Sequence, residues 1–86
     1  MNSPTIERYL RTKLARPEAI VFLGSGAFLQ TFFEDAAFCG RALRLAARDL
    51  GADSEPERIL ACGFPRTKLD KYTALLRQHG RELHVG

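Results

Sequence analysis

Gly24-Ser25-Gly26, set directly after the apolar run Ala19-Ile20-Val21-Phe22-Leu23, constrains this chain more than any other feature. The run has the length and composition of a strand, and an unbroken apolar strand must be buried on both faces, which places it centrally in a sheet. Two glycines within three residues mark a tight reversal. From Phe28 onward the apolar residues recur at helical spacing, which predicts a second helix from about Leu29 with Phe32, Phe33, Ala36, Ala37, Gly40 and Leu43 turned inward. Phe28 is thereby expected where the sheet hands over to a helix, at the rim of the fold. An aromatic at a rim beside glycines is placed to act as a wedge in a ligand or a base stack, whereas Phe32 and Phe33 belong to the core.

The rest of the chain supplies the partners of that strand. Ser3-Pro4 reads as a cap followed by proline at the first helical position, and Ile6, Tyr9, Leu10 and Leu14 form one stripe of a first helix ending near Ala15. Arg16-Pro17 stops it, because the residue before proline is pushed out of the helical region. Residues 51–57 read as an acidic loop and Ile59 to Phe64 as a strand closed by Pro65. In the third helix Thr67 is a candidate cap with Asp70 three residues on, Leu69, Tyr72, Leu75 and Leu76 form the stripe, and Gly80 supplies a left-handed stop before a short strand over residues 82–85. Such an order predicts a single α/β domain over residues 1–86, a small mixed sheet of about four strands flanked by about three helices.

Composition limits the function classes. With 86 residues the chain is long enough for one small core. No apolar segment approaches the roughly 20 residues that span a bilayer, and the N-terminus has no charged-then-apolar leader profile, so a cytoplasmic protein without membrane attachment is expected. Cys39 and Cys62 have no CxxC or CxxH companion and fall in apolar surroundings, which predicts buried free thiols and no metal site. His79 and His84 have no carboxylate or thiol partner at catalytic spacing, and Gly24-Ser25-Gly26 is not followed by the Lys-Ser/Thr of a phosphate loop. Neither an enzyme nor a cofactor is therefore expected. The net charge is only +3, from 13 Lys and Arg against 10 Asp and Glu, yet the cations gather in two places. Arg8, Arg11, Lys13 and Arg16 lie on or just after the first helix, and Arg66, Lys68 and Lys71 around the start of the third. Flanking the Phe28 turn, such clusters would grip phosphates on either side of a groove; as ordinary charges on amphipathic helices they would simply be solvated.

Three blocks together resemble the N-terminal mismatch-sensing domain of the DNA mismatch repair protein MutS. The residues from Gly24 to Ala36 resemble the pattern R-M-G-D-F-Y-E-L-F-F-E-D-A. Tyr9-Leu10-Arg11-Thr12-Lys13 with Arg16-Pro17-Glu18 is similar to Q-Y-L-x-x-K and H-P-[DE], and Ala61-Cys62-Gly63-Phe64-Pro65 with Leu69-Asp70-Lys71-Tyr72 is similar to M-A-G-[IV]-P-Y-H-A-[LV]-x-x-Y. The resemblance covers nearly the whole chain. It implies that Phe28 matches the Phe that stacks on a mispaired base from the minor groove, and that Gln30 stands where the family has the Glu that hydrogen-bonds that base. It also implies a strand at about Arg44 to Asp49, where helix propensity alone would continue the second helix. The chain departs from the pattern at Gly24-Ser25 for Arg-Met, Ala27 for Asp, Leu29 for Tyr, Gln30 for Glu, and Arg66-Thr67 for Tyr-His. Gln30 retains an amide for a base edge but brings no negative charge.

Two readings follow. In the first the domain is a degenerate sensor head that works without an ATPase, binding duplex DNA, mismatched or distorted, through Phe28 and Gln30, with Arg11, Lys13, Arg66 and Lys68 on phosphates. In the second it has lost mismatch recognition and is a protein-interaction module. A sheet with fewer strands than the family's domain is expected to leave an open edge on which a second copy or a partner protein pairs.

Overall fold

The computed structural model describes residues 4–49 and 59–86. Helix α1 is Pro4–Ala15, with proline at its first position, where its fixed φ is compatible with the helix and its missing N–H is not needed. The expected cap Ser3 lies outside the described residues, as does the loop expected over residues 51–57. The inward stripe of α1 differs from the expected one. Ile6 and Tyr9 are buried, but Leu10 is 41% and Leu14 84% exposed. Tyr9 and Lys13, four residues apart on one side of the helix, both reach Asp35. That rotation turns the next residues round the helix, Leu10 and Leu14, to water.

Strand β1, Ile20–Ser25, is the buried central strand that the apolar run predicts, with residues 19 to 23 all inaccessible. The chain does not then enter a helix. It reverses through Gly26-Ala27 into strand β2, Phe28–Phe32, which pairs antiparallel with β1 in the register Leu23 to Gln30, Gly24 to Leu29 and Ser25 to Phe28. Gly26, the first central residue of this two-residue turn, has φ +60°, the conformation that the type II′ hairpin demands of glycine. Helix α2 begins only at Phe33 and ends at Ala42. Apolar residues at 28, 29, 32, 33, 36 and 37 fit a helical stripe, but β2 lies between two strands and is paired along both edges, so the long-range pairing decides its state.

Strand β3 is shorter than expected, Arg48–Asp49. Strand β4 is Leu60–Pro65, antiparallel to both β2 and β3. A 3₁₀ turn, Arg66–Lys68, leads into α3, Leu69–Gln78, so that Thr67 lies inside the turn and no side chain caps α3. Proline 65 holds the residue ahead of that turn extended, which moves the helix start past Thr67. At the other end Gly80, with φ +73°, donates to Arg77 O and Arg81 donates to Leu76 O, the paired bonds of a left-handed helix stop. Strand β5, Leu83–Val85, runs parallel to β1. The mixed sheet thus has five strands rather than about four, in the order β3-β4-β2-β1-β5.

Side chains of the sheet alternate between two cores. Ile20, Phe22, Leu29, Cys62 and Phe64 pack with Ala36, Cys39 and Leu43 of α2 and its end and with Leu76 of α3. Val21, Leu23, Phe32 and Ala61 pack with Ile6 and Tyr9 of α1. Both thiols are buried and free, as the apolar spacing predicts. Burial pushes the Cys39 thiol up to about 12, with smaller contributions from Cys62 and Asp35, and burial likewise raises that of Cys62.

Candidate nucleic-acid interface

The sheet face on which α1 packs is not fully covered. Strand partners share a face, so Phe28, Gln30 and Phe32 of β2 stand beside Pro65, Gly63 and Ala61 of β4. Phe32 is capped by the Tyr9 ring, 5.5 Å away and edge-on. Towards the hairpin the cover stops. Phe28 is 51% exposed, and Gln30 is half-buried. Gly63 gives the Gln30 side chain its room, because a Cβ there would lie 3.3 Å from Gln30 Cγ and 2.6 Å from Leu29 O. Phe28 and Gln30 line a shallow groove of about 200 Å³ with Ala46, Arg48, Ala61, Cys62 and Gly63.

Arg48 is the groove residue that the sequence left unmarked. It is exposed and pairs with Ala61, so it occupies the same face as Gln30 two strands away, about 10 Å at the usual strand spacing. Alternation over a strand ending at Asp49 would have pointed to it, had the register against Ala61 been known.

The four basic residues singled out in the sequence fall in different places. Lys68 is exposed in the 3₁₀ turn that follows β4, at the hairpin end of the sheet. Arg66 is beside the hairpin itself. Its Nε donates to Gly26 O at 2.8 Å and its backbone N–H to Ala27 O at 2.9 Å. A Cβ on Gly24 would overlap Nη2 of Arg66. Gly24 shares a face with Leu29, so this guanidinium lies on the side of the hairpin opposite to Phe28. Arg11 is exposed on α1.

Lys13 is committed elsewhere. Its ammonium donates to Asp35 Oδ1 at 2.9 Å and to Ala19 O. Asp35 is 4% exposed, and its Oδ2 also accepts from Tyr9 Oη at 2.7 Å and from Val21 N–H at 3.2 Å. The carboxylate therefore takes up the β1 amide left free where β2 turns away into α2, and Lys13 balances its charge. Burial, followed by the Asp35 hydrogen bond and charge, pushes the Tyr9 hydroxyl well above the ordinary phenol range. Of the first basic cluster Arg16 is also paired, with Glu82 at 3.2 Å. No helix among the described residues is long and apolar enough to cross a membrane.

The family model described as MutS domain I matches residues 3–85. The DNA mismatch repair protein MutS of Syntrophomonas wolfei is 38% identical over 85 residues, 96% of this chain and 10% of that protein. The MutS of Anaeromyxobacter sp. (strain K) is 38% identical over 86 residues, 98% of this chain and 9% of that protein. The MutS of Acaryochloris marina is 35% identical over 78 residues, 91% of this chain and 9% of that protein. The chain spans about a tenth of the length of these relatives.

Proposed function

Since the chain belongs to the MutS domain I family, we propose that it is a DNA-binding module of the mismatch-sensing kind, non-catalytic in itself, which enters the minor groove with Phe28. The single observation that carries this reading is the half-exposed Phe28 ring at the start of β2, with the Gln30 amide two residues on and on the same face. An aromatic stacked on a base contributes about 1 to 3 kcal/mol, whereas unstacking a base step costs about a few kcal/mol. Phe28 alone does not hold a duplex. It favours steps already weakened by a mispair, and phosphate contacts must supply the rest. Arg48 at the groove and Lys68 at the hairpin end are the nearest candidates for them, and Arg11 on α1 is a more remote one. Lys13 is held by Asp35 and stands apart from this role.

Binding is expected to be weak and electrostatic, losing strength as salt rises with about 0.9 of a counterion released per phosphate contact. Titration of matched and singly mismatched duplexes at two salt concentrations tests it. Salt-sensitive binding with a preference for the mismatch supports the proposal, and no binding at low salt overturns it. The reading as a protein-interaction module has less to stand on. Phe28 is not packed under neighbours, and the edge strands among the described residues are only Arg48–Asp49 and Leu83–Val85.

A further inference from the structure

The hairpin that carries Phe28 is held from behind by one residue that takes up both of its turn carbonyls. Arg66 donates its Nε to Gly26 O and its backbone N–H to Ala27 O. Its guanidinium reaches over Gly24 with its Nη2 end, which overlaps the place of a Cβ, while Cζ is 3.0 Å from it. Any side chain at position 24 would therefore evict it. These two positions are among those where the chain departs from the pattern it resembles, with Gly24 for Arg and Arg66 for Tyr. The arginine has in effect moved from β1 to the strand-to-turn junction opposite, and glycine has cleared its seat.

We propose that Arg66 is a positioning residue, a brace seated on Gly24 that holds the Gly26-Ala27 turn against the end of β4 and so keeps the Phe28 ring presented to a nucleic-acid groove. An exposed aromatic on a loose turn would have to be ordered on binding, and that ordering would cost affinity. Arg66 removes part of the cost in advance. Lys68 and Arg48 carry charge but no bond to the turn, which separates their role from that of Arg66. The consequence for DNA rests on the proposed function; the brace itself does not.

Amide hydrogen exchange at Ala27 and Phe28 in the free protein tests the brace without DNA. Arg66→Ala is expected to speed exchange there about tenfold, in keeping with loss of one hydrogen bond from a charged donor, while exchange in β1 is unchanged. Arg66→Lys keeps the charge but not the planar fork, and is expected to behave as Arg66→Ala. Gly24→Ala leaves the arginine in the chain but takes its seat, so it should give the same effect, and the double variant Gly24→Ala/Arg66→Ala should be no worse than either single one. Additive effects, or unchanged exchange in Arg66→Ala, would overturn the brace. If exchange responds as expected but every variant binds DNA as the parent does, the brace stands and its consequence for DNA is overturned, whereas a parent that binds no DNA at low salt overturns the proposed function and leaves the brace standing.

Discussion

Tyr9 Oη donates to Asp35 Oδ2 at 2.7 Å across 26 positions of the sequence, joining the first helix to the start of the second. The same carboxylate holds Lys13 and the Val21 amide, so three elements meet on one buried charge. Asp35→Ala would leave the Tyr9 hydroxyl and a strand amide without their acceptor and the Lys13 ammonium without its counter-charge, with Ala19 O alone to accept from it. A loss of about 3 kcal/mol of stability is expected, read as a lower urea midpoint. A loss under 0.5 kcal/mol would show that the network contributes little.

Phe28→Ala separates surface from core. Half of the ring is already in water, so its truncation should cost under about 1 kcal/mol, compared with the 3 to 5 kcal/mol of a core phenylalanine. Preference for mismatched over matched duplex should vanish, with the salt slope unchanged. A stability loss above 3 kcal/mol would make Phe28 structural.

Gln30→Glu restores the carboxylate of the pattern that the chain resembles. Gly63 leaves room for a side chain of the same length, so the fold should be undisturbed. Total affinity for matched DNA should fall, since a negative charge faces a phosphate-lined groove, while the ratio of mismatched to matched affinity should rise. Equal losses on both duplexes would deny Gln30 a place at the base.

The buried thiol of Cys39 sets a pH dependence. Its value is raised from near 9 to about 12, so the folded protein holds a proton that the unfolded chain releases. The stability tied to it is fully present below pH 9 and is lost as pH climbs towards 12. Tyr9, raised in the same direction, adds to the fall above pH 10. Urea midpoints at pH 7.5 and 10.5 should show the decrease, and Cys39→Ala should show a smaller one. Identical midpoints for the parent protein would exclude the effect.

Much of the architecture was legible wherever local chemistry decides it. The buried run of β1, the stop at Gly80 and the two buried thiols follow from residue type and spacing alone. Strand β2 was not legible, because Phe28, Leu29, Phe32 and Phe33 fit a helical stripe and a two-sided strand equally well, and only pairing with β4, some 30 positions later in the chain, chooses between them. The burial of Asp35 depends on how α1 docks, which no local spacing reveals. The same non-local register hid Arg48 and the seat of Arg66 on Gly24, since each becomes visible only when β4 is laid against its neighbours. The exposure expected of Phe28 at the rim is observed, while local spacing missed the strand that carries it.

The passage from β2 to α2 takes no loop at all: Phe32 ends the strand, and Phe33, held at φ +55° against the Tyr9 ring, begins the helix. Phe28 and Asp35 are thus the two ends of one short lever with no slack between them. A load applied to the ring at the tip is not absorbed by a yielding segment but arrives at the junction of both helices with β1. On the proposed reading, a ligand that presses on the Phe28 ring would thrust on the domain's own frame and not only touch it at one point.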